Sequence, residues 1–74
     1  MYRYLVIVEA GEQNLSAYVP DLPGCVATGT TREELERNMR EAIELHLHGM
    51  LEDGDQIPAP STTAEYIEVS PPAA

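Results

Sequence analysis

The chain has 74 residues, with 13 acidic side chains against four basic ones and a formal net charge of −9. That length allows one small domain with a thin core, and the acidity works against binding a nucleic-acid backbone, which needs a basic footprint. The single Cys25 excludes an internal disulfide and fits a reducing cytosol, and no apolar run is long enough for a signal peptide or a membrane span.

In chain order, Tyr2 to Glu9 read as the first strand. Tyr2, Tyr4, Val6 and Val8 fall on one face, with Leu5 and Ile7 on the other. Apolar residues on both faces suggest a strand covered on both sides. Ala10 to Asn14 make a hairpin loop. Leu15 to Val19 form the second strand, with Leu15, Ala17 and Val19 inward and Ser16 and Tyr18 on the reverse. Pro20 ends it, having no N–H to give to a sheet. Asp21-Leu22-Pro23-Gly24-Cys25 then specifies a turn. Pro23 sets φ for its second position, and Gly24 supplies the positive φ of a type II turn at its third. Asp21 is expected to bond that turn's own backbone N–H groups.

Val26 to Thr28 form a short third strand. Thr31 and Glu34 have the spacing of a capping box, in which each side chain satisfies the other's backbone N–H. The helix so started runs from about Arg32 to about Leu51, and Gly54 is its C′ residue. Leu35, Met39, Ala42, Ile43, His46 and Met50 recur on one helical face, and Leu45 and Leu47 flank it on opposite sides. Glu33 with Arg37, Glu36 with Arg40, Arg37 with Glu41 and Arg40 with Glu44 are spaced for i,i+4 pairing. Gln56 to Thr63 is a Pro/Ser/Thr loop, and Ala64 to Val69 form a last strand. Residues 1–70 are therefore one domain and 71–74 a frayed tail. The order β-β-β-α-β makes the chain α+β, a four-stranded, mostly antiparallel sheet with one helix on one face. The wide apolar arc and an open sheet edge suggest a homodimer or a higher even-numbered oligomer.

Cys25 invites a nucleophile reading with His46 or His48 as base. A reactive thiol needs an electropositive setting, which this acidic chain does not offer, so Cys25 reads as a small core residue. His46 and His48, two apart on a helix, point to nearly opposite sides and cannot hold one metal ion. His46 reads as a partly buried structural residue. No cofactor or metal set is expected.

The same residues carry a resemblance. Asp21-Leu22-Pro23-Gly24-Cys25, then Thr28-Gly29-Thr30-Thr31, Glu34, Glu41-Ala42 and Asp53 to Ser61 resemble the HicB antitoxin family in order and spacing, over roughly Tyr2 to Val69. The resemblance implies a truncated ribonuclease-H-like fold with the last strand beside and parallel to the first. It also implies a non-catalytic, cytoplasmic module that binds a small basic HicA-type toxin, an RNA-cleaving protein, and covers its active site. Glu33, Glu36, Glu44, Leu45 and Leu47 are the candidate partner-facing residues. Two alternatives stay open: an orphan oligomeric HicB-like protein with no toxin, and a small metal-dependent nuclease. The second would need a carboxylate cluster, and Glu9 with Asp21 are its only candidates near strand ends. Longer members of the family carry a C-terminal DNA-binding segment that represses their own operon. With the sequence ending at Ala74, that role is not carried over.

Overall fold

The computed structural model describes residues 2–73, so Met1 and Ala74, at the ends of the expected domain and tail, lie outside it. Its elements are β1 (Ile7–Ala10), β2 (Leu15–Tyr18), β3 (Val26–Gly29) and α1 (Arg32–Glu52). The three strands form one antiparallel sheet in the order β1-β2-β3. Its registers pair Val8 with Ala17 and Ala17 with Ala27. Helix α1 packs on β3 and β2 and leaves β1 uncovered.

The turn between β2 and β3 follows from its residues. The Leu22 carbonyl accepts from the Cys25 N–H at 3.0 Å, and Gly24 sits at φ +84° between them. This is the hydrogen bond and the positive φ of a type II turn. The turn also feeds the core: Leu22 is fully buried and Cys25 is 3% exposed. Burying Leu22 contributes about 2 kcal/mol. With Ala17, Val19, Leu35 and Met39 these residues make the buried cluster, against which Tyr4, Val6, Leu15, Ile43, Leu47 and Met50 pack. The inward residues of β2 and the apolar face of α1 are therefore the ones their periodicities select.

The helix begins and ends on its own signals. Thr31, extended at φ −131°, accepts the Glu34 N–H at 3.1 Å. The reciprocal bond lands one residue earlier than a strict capping box, since Glu34 Oε1 accepts from Thr30 N at 2.9 Å. At the other end Asp55 N donates to the Met50 carbonyl and Gly54 N to the Leu51 carbonyl, with Gly54 at φ +77°. That pair is a Schellman motif, which carries the helix one residue past Leu51, to Glu52. The Asn38 side chain donates to the Thr28 carbonyl at 2.8 Å and ties α1 to β3.

Three expectations are corrected. The first strand is shorter than Tyr2 to Glu9: only Ile7–Ala10 is laddered, because β2 is four residues long and offers no partner further back. Leu5 and Ile7 are only half-buried and lie outside the core cluster, so the strand is not covered on both sides. Second, Ala64 to Val69 form no strand; among the described residues the sheet has three strands, not four. Third, the four Arg–Glu pairs along the helix stay open. Among the described residues the one ion-pair contact is His48 Nε2 to Glu52 Oε1 at 3.4 Å. Exposed pairs gain little over hydration, which leaves such side chains free to point apart.

Candidate functional site

Nothing nucleophilic is assembled around Cys25. Its thiol is buried, and desolvation pushes its pKa up, away from the reactive thiolate. His46 is half-buried among the helix's core-facing residues and His48 is exposed. Among the described residues no group of three or more His, Cys, Asp or Glu side chains is placed to hold a metal ion.

Asp21 is engaged far from where the turn suggested. Instead of bonding its own loop, it grips a segment 40 residues on. Oδ2 accepts from Ser61 N at 2.9 Å and Thr62 N at 3.2 Å, and Oδ1 from the Ser61 and Thr62 hydroxyls. Both oxygens are thus taken by donors, which removes Asp21 from any carboxylate pair with Glu9. Pro58 and Pro60 stiffen the approach to this clamp, and the Tyr4 hydroxyl donates to the Pro58 carbonyl as a second tether. The Tyr4 ring stacks on Tyr2 with centroids 5.8 Å apart.

The four donors stabilise the charged carboxylate. They hold the Asp21 pKa down at about 2, against an ordinary 3.8, with the Thr62 hydroxyl bond the largest cause and the Ser61 amide next. A depressed pKa in the folded state means the clamp's contribution is complete above about pH 4 and is lost as pH falls through about 2. Followed by NMR, the Ser61 and Thr62 amide shifts should titrate with a midpoint near 2. Asp21→Asn should abolish that titration. A midpoint near 3.8 would mean that the clamp does not form.

Because α1 leaves β1 bare, a groove of about 410 Å³ opens between them. Val6, Val8, Leu35, Met39 and Ile43 give it an apolar floor, and Arg32, Glu36, Arg40 and Glu44 stand along the helix side. The partner-facing candidates therefore separate. Glu36 and Glu44 line the groove, whereas Glu33 and Leu45 are exposed, Leu45 at 75%, and Leu47 is packed against the core. In the turn motif Leu22 and Cys25 are core, Pro23 and Gly24 shape the backbone, and Thr31 with Glu34 caps the helix. The groove itself is not legible in the sequence, because a helix's position over a sheet is not written in either element's periodicity.

Comparison with known proteins agrees with this architecture. The chain is 38% identical over 64 residues to an uncharacterized 14.9 kDa protein of the rep-hol intergenic region of Haemophilus phage HP1, covering 86% of this chain and 48% of that one. It is 35% identical over 68 residues to Antitoxin HicB 2 of Photorhabdus laumondii, covering 90% and 49%. The chain thus spans about half the length of these two relatives. A chain of the solved HicA3 and HicB3 toxin–antitoxin complex superposes with a TM-score of 0.70 at 25% identity, covering 81% of this chain and 70% of that one. The sequence model of the HicB-like antitoxin of bacterial toxin–antitoxin systems matches residues 4–71, nearly the whole sequence, and the chain belongs to that family.

Proposed function

We propose that this chain is the toxin-binding module of a toxin–antitoxin pair. It acts without catalysis, in the cytoplasm, by seating on a small basic HicA-type toxin and covering its RNA-cleaving site. The observation that carries the reading is the exposed side of α1, where the solvent-facing Leu45 has Glu41 one turn before it, Glu52 two turns after it and the groove-lining Glu44 next to it in the chain. A carboxylate field around one apolar anchor is complementary to a cationic RNA-binding face. Membership of the family and the likeness to a chain of a HicA3 and HicB3 complex support the same partner. Glu33 and Glu36, nearer the helix start, add to that field, while Leu47 acts only by holding the helix in place. Nucleic acid is not itself a ligand, since four arginines cannot neutralise a run of phosphates against 13 carboxylates.

Co-expression with a HicA-type toxin encoded beside it is the direct test. Growth arrest by the toxin should be relieved, and the two purified proteins should co-elute at low salt. Leu45→Asp should weaken the complex while leaving the fold intact, because Leu45 lies outside the core. If arrest persists and the proteins do not associate, the orphan oligomer becomes the better account.

A further inference from the structure

The strap from Gln56 to Thr63 is held to the domain by few bonds. Tyr4 donates to the Pro58 carbonyl, and Asp21 takes the amides and hydroxyls of Ser61 and Thr62. The four bonds to Asp21 are exposed, and water replaces such bonds at little cost when they open. Every described residue from 59 on is exposed, and none of them belongs to a helix or a strand. An accessible, irregular stretch of this kind is what an enzyme acting on a side chain can seat in its own cleft.

Two opposite charges stand near the Thr62 side chain. Its hydroxyl donates to Asp21 Oδ1 at 2.5 Å. Arg3 lines a shallow recess together with Tyr4, Leu5, Val6, Thr62 and Thr63, and it is the one cation there. Among the described residues Arg3 has no acidic partner within ion-pair distance. Uncharged, the Thr62 oxygen suits the carboxylate. Carrying a phosphate, it has no proton to donate and repels Asp21, whereas a guanidinium takes phosphate oxygens in pairs. The strap thus has two anchors, and the charge at one residue selects between them.

We propose that Thr62 is a phosphorylation site and that its phosphate moves the strap from Asp21 to Arg3. The co-reactant is a nucleoside triphosphate, used by a serine/threonine kinase. The bond from Thr62 Oγ1 to the γ-phosphorus forms as the bond to the departing nucleoside diphosphate breaks, and the hydroxyl proton passes to the kinase's base. Thr62 commands the clamp more than its neighbour does. The Ser61 hydroxyl reaches the same Asp21 oxygen only at 3.2 Å, and the Thr62 bond is the largest cause of the lowered Asp21 pKa. Glu65 and Glu68 follow with no basic residue between them and Thr62, which suits a kinase whose substrate cleft is cationic. The core is untouched by the change, since no strap residue belongs to it.

Peptide mass spectrometry of the natural protein, isolated from growing and from starved cells, should place a phosphoryl group on Thr62. Its absence from both, or its presence only on Ser61 or Thr63, would overturn the assignment. The full chain made with phosphothreonine at position 62 then reports the switch. By carbon NMR its Asp21 carboxyl should titrate near the ordinary 3.8 or above, in place of about 2. A midpoint still near 2 would overturn the release from Asp21. By phosphorus NMR the phosphate should lose its last proton below its ordinary value of about 6, and Arg3→Gln should restore that value. A phosphate midpoint that Arg3→Gln leaves unchanged would overturn Arg3 as the second anchor. Helical circular dichroism should match that of the unmodified chain. A loss of helix would also overturn the proposal, by showing unfolding where a re-anchored strap is expected.

Discussion

Gly29→Ala should lower the melting temperature by more than about 10 °C, from a cost near the upper end of the 1–3 kcal/mol typical of an overfilled core. A Cβ at Gly29 would lie 2.7 Å from the Leu35 backbone N and 2.9 Å from its Cα. These are backbone atoms in the first turn of α1, so no side chain can swing aside to make room. Retreat of the helix would loosen the Asn38 bond to Thr28 and uncover Leu35 and Met39, two of the six core residues. A domain this small holds only about 3–5 kcal/mol from its core, so the loss takes most of its stability. Gly49→Ala is the matched control. It too lies in the structure as a glycine, but its Cβ would meet nothing within 4 Å. Placed inside α1, it should raise stability by about 0.5–1 kcal/mol through helix propensity alone. Thermal unfolding by circular dichroism separates the two. A Gly29→Ala melting point within a few degrees of the natural chain would show that α1 does not press on β3 at this distance.

The second large effect is expected, on the function proposed above, in the rate at which the chain meets a basic HicA-type toxin. With a net charge of −9, association with a basic partner should be steered electrostatically, and such steering raises on-rates by about 10 to 10³. Salt screens it, since the Debye length falls from about 30 Å at 0.01 M to about 3 Å at 1 M. Stopped-flow association should therefore slow by roughly tenfold or more across that range, while dissociation changes little. On that proposal, apolar contacts such as Leu45, exposed in the free chain, should hold the complex once formed. Replacing Glu33, Glu36 and Glu44 by Gln should flatten the salt dependence if α1 is the docking surface. If it leaves the slope unchanged, the toxin docks on a sheet edge instead, and Leu45→Asp should then also be without effect.

Much of this molecule is legible in its sequence because the signals are local. Pro23 and Gly24 specify the turn that forms, and Thr31 and Gly54 mark where α1 starts and stops. The helical and strand periodicities select Leu35, Met39, Ala17 and Val19 for the core. Each of these rests on backbone dihedrals or on spacing within a few residues, which short stretches of chain decide alone. The ordered motif from Asp21 to Ser61 likewise points to the family that comparison shows.

The remainder depended on which distant groups meet. Asp21 has the same composition-level signal whether it bonds its own turn or Ser61 and Thr62, and only the path of the proline-stiffened segment brings those donors to it. Gly29 looks like one more strand-ending glycine until the Leu35 backbone is seen to fill the space that a Cβ there would need. Residues 64–69 have the pattern of a strand, but a strand exists only where an edge receives it, and this chain's clamp sends them away from their own. Periodicity states what a segment can become. The tertiary structure decides whether a partner is there, because hydrogen-bond ladders and close packing are properties of pairs of segments and not of either one.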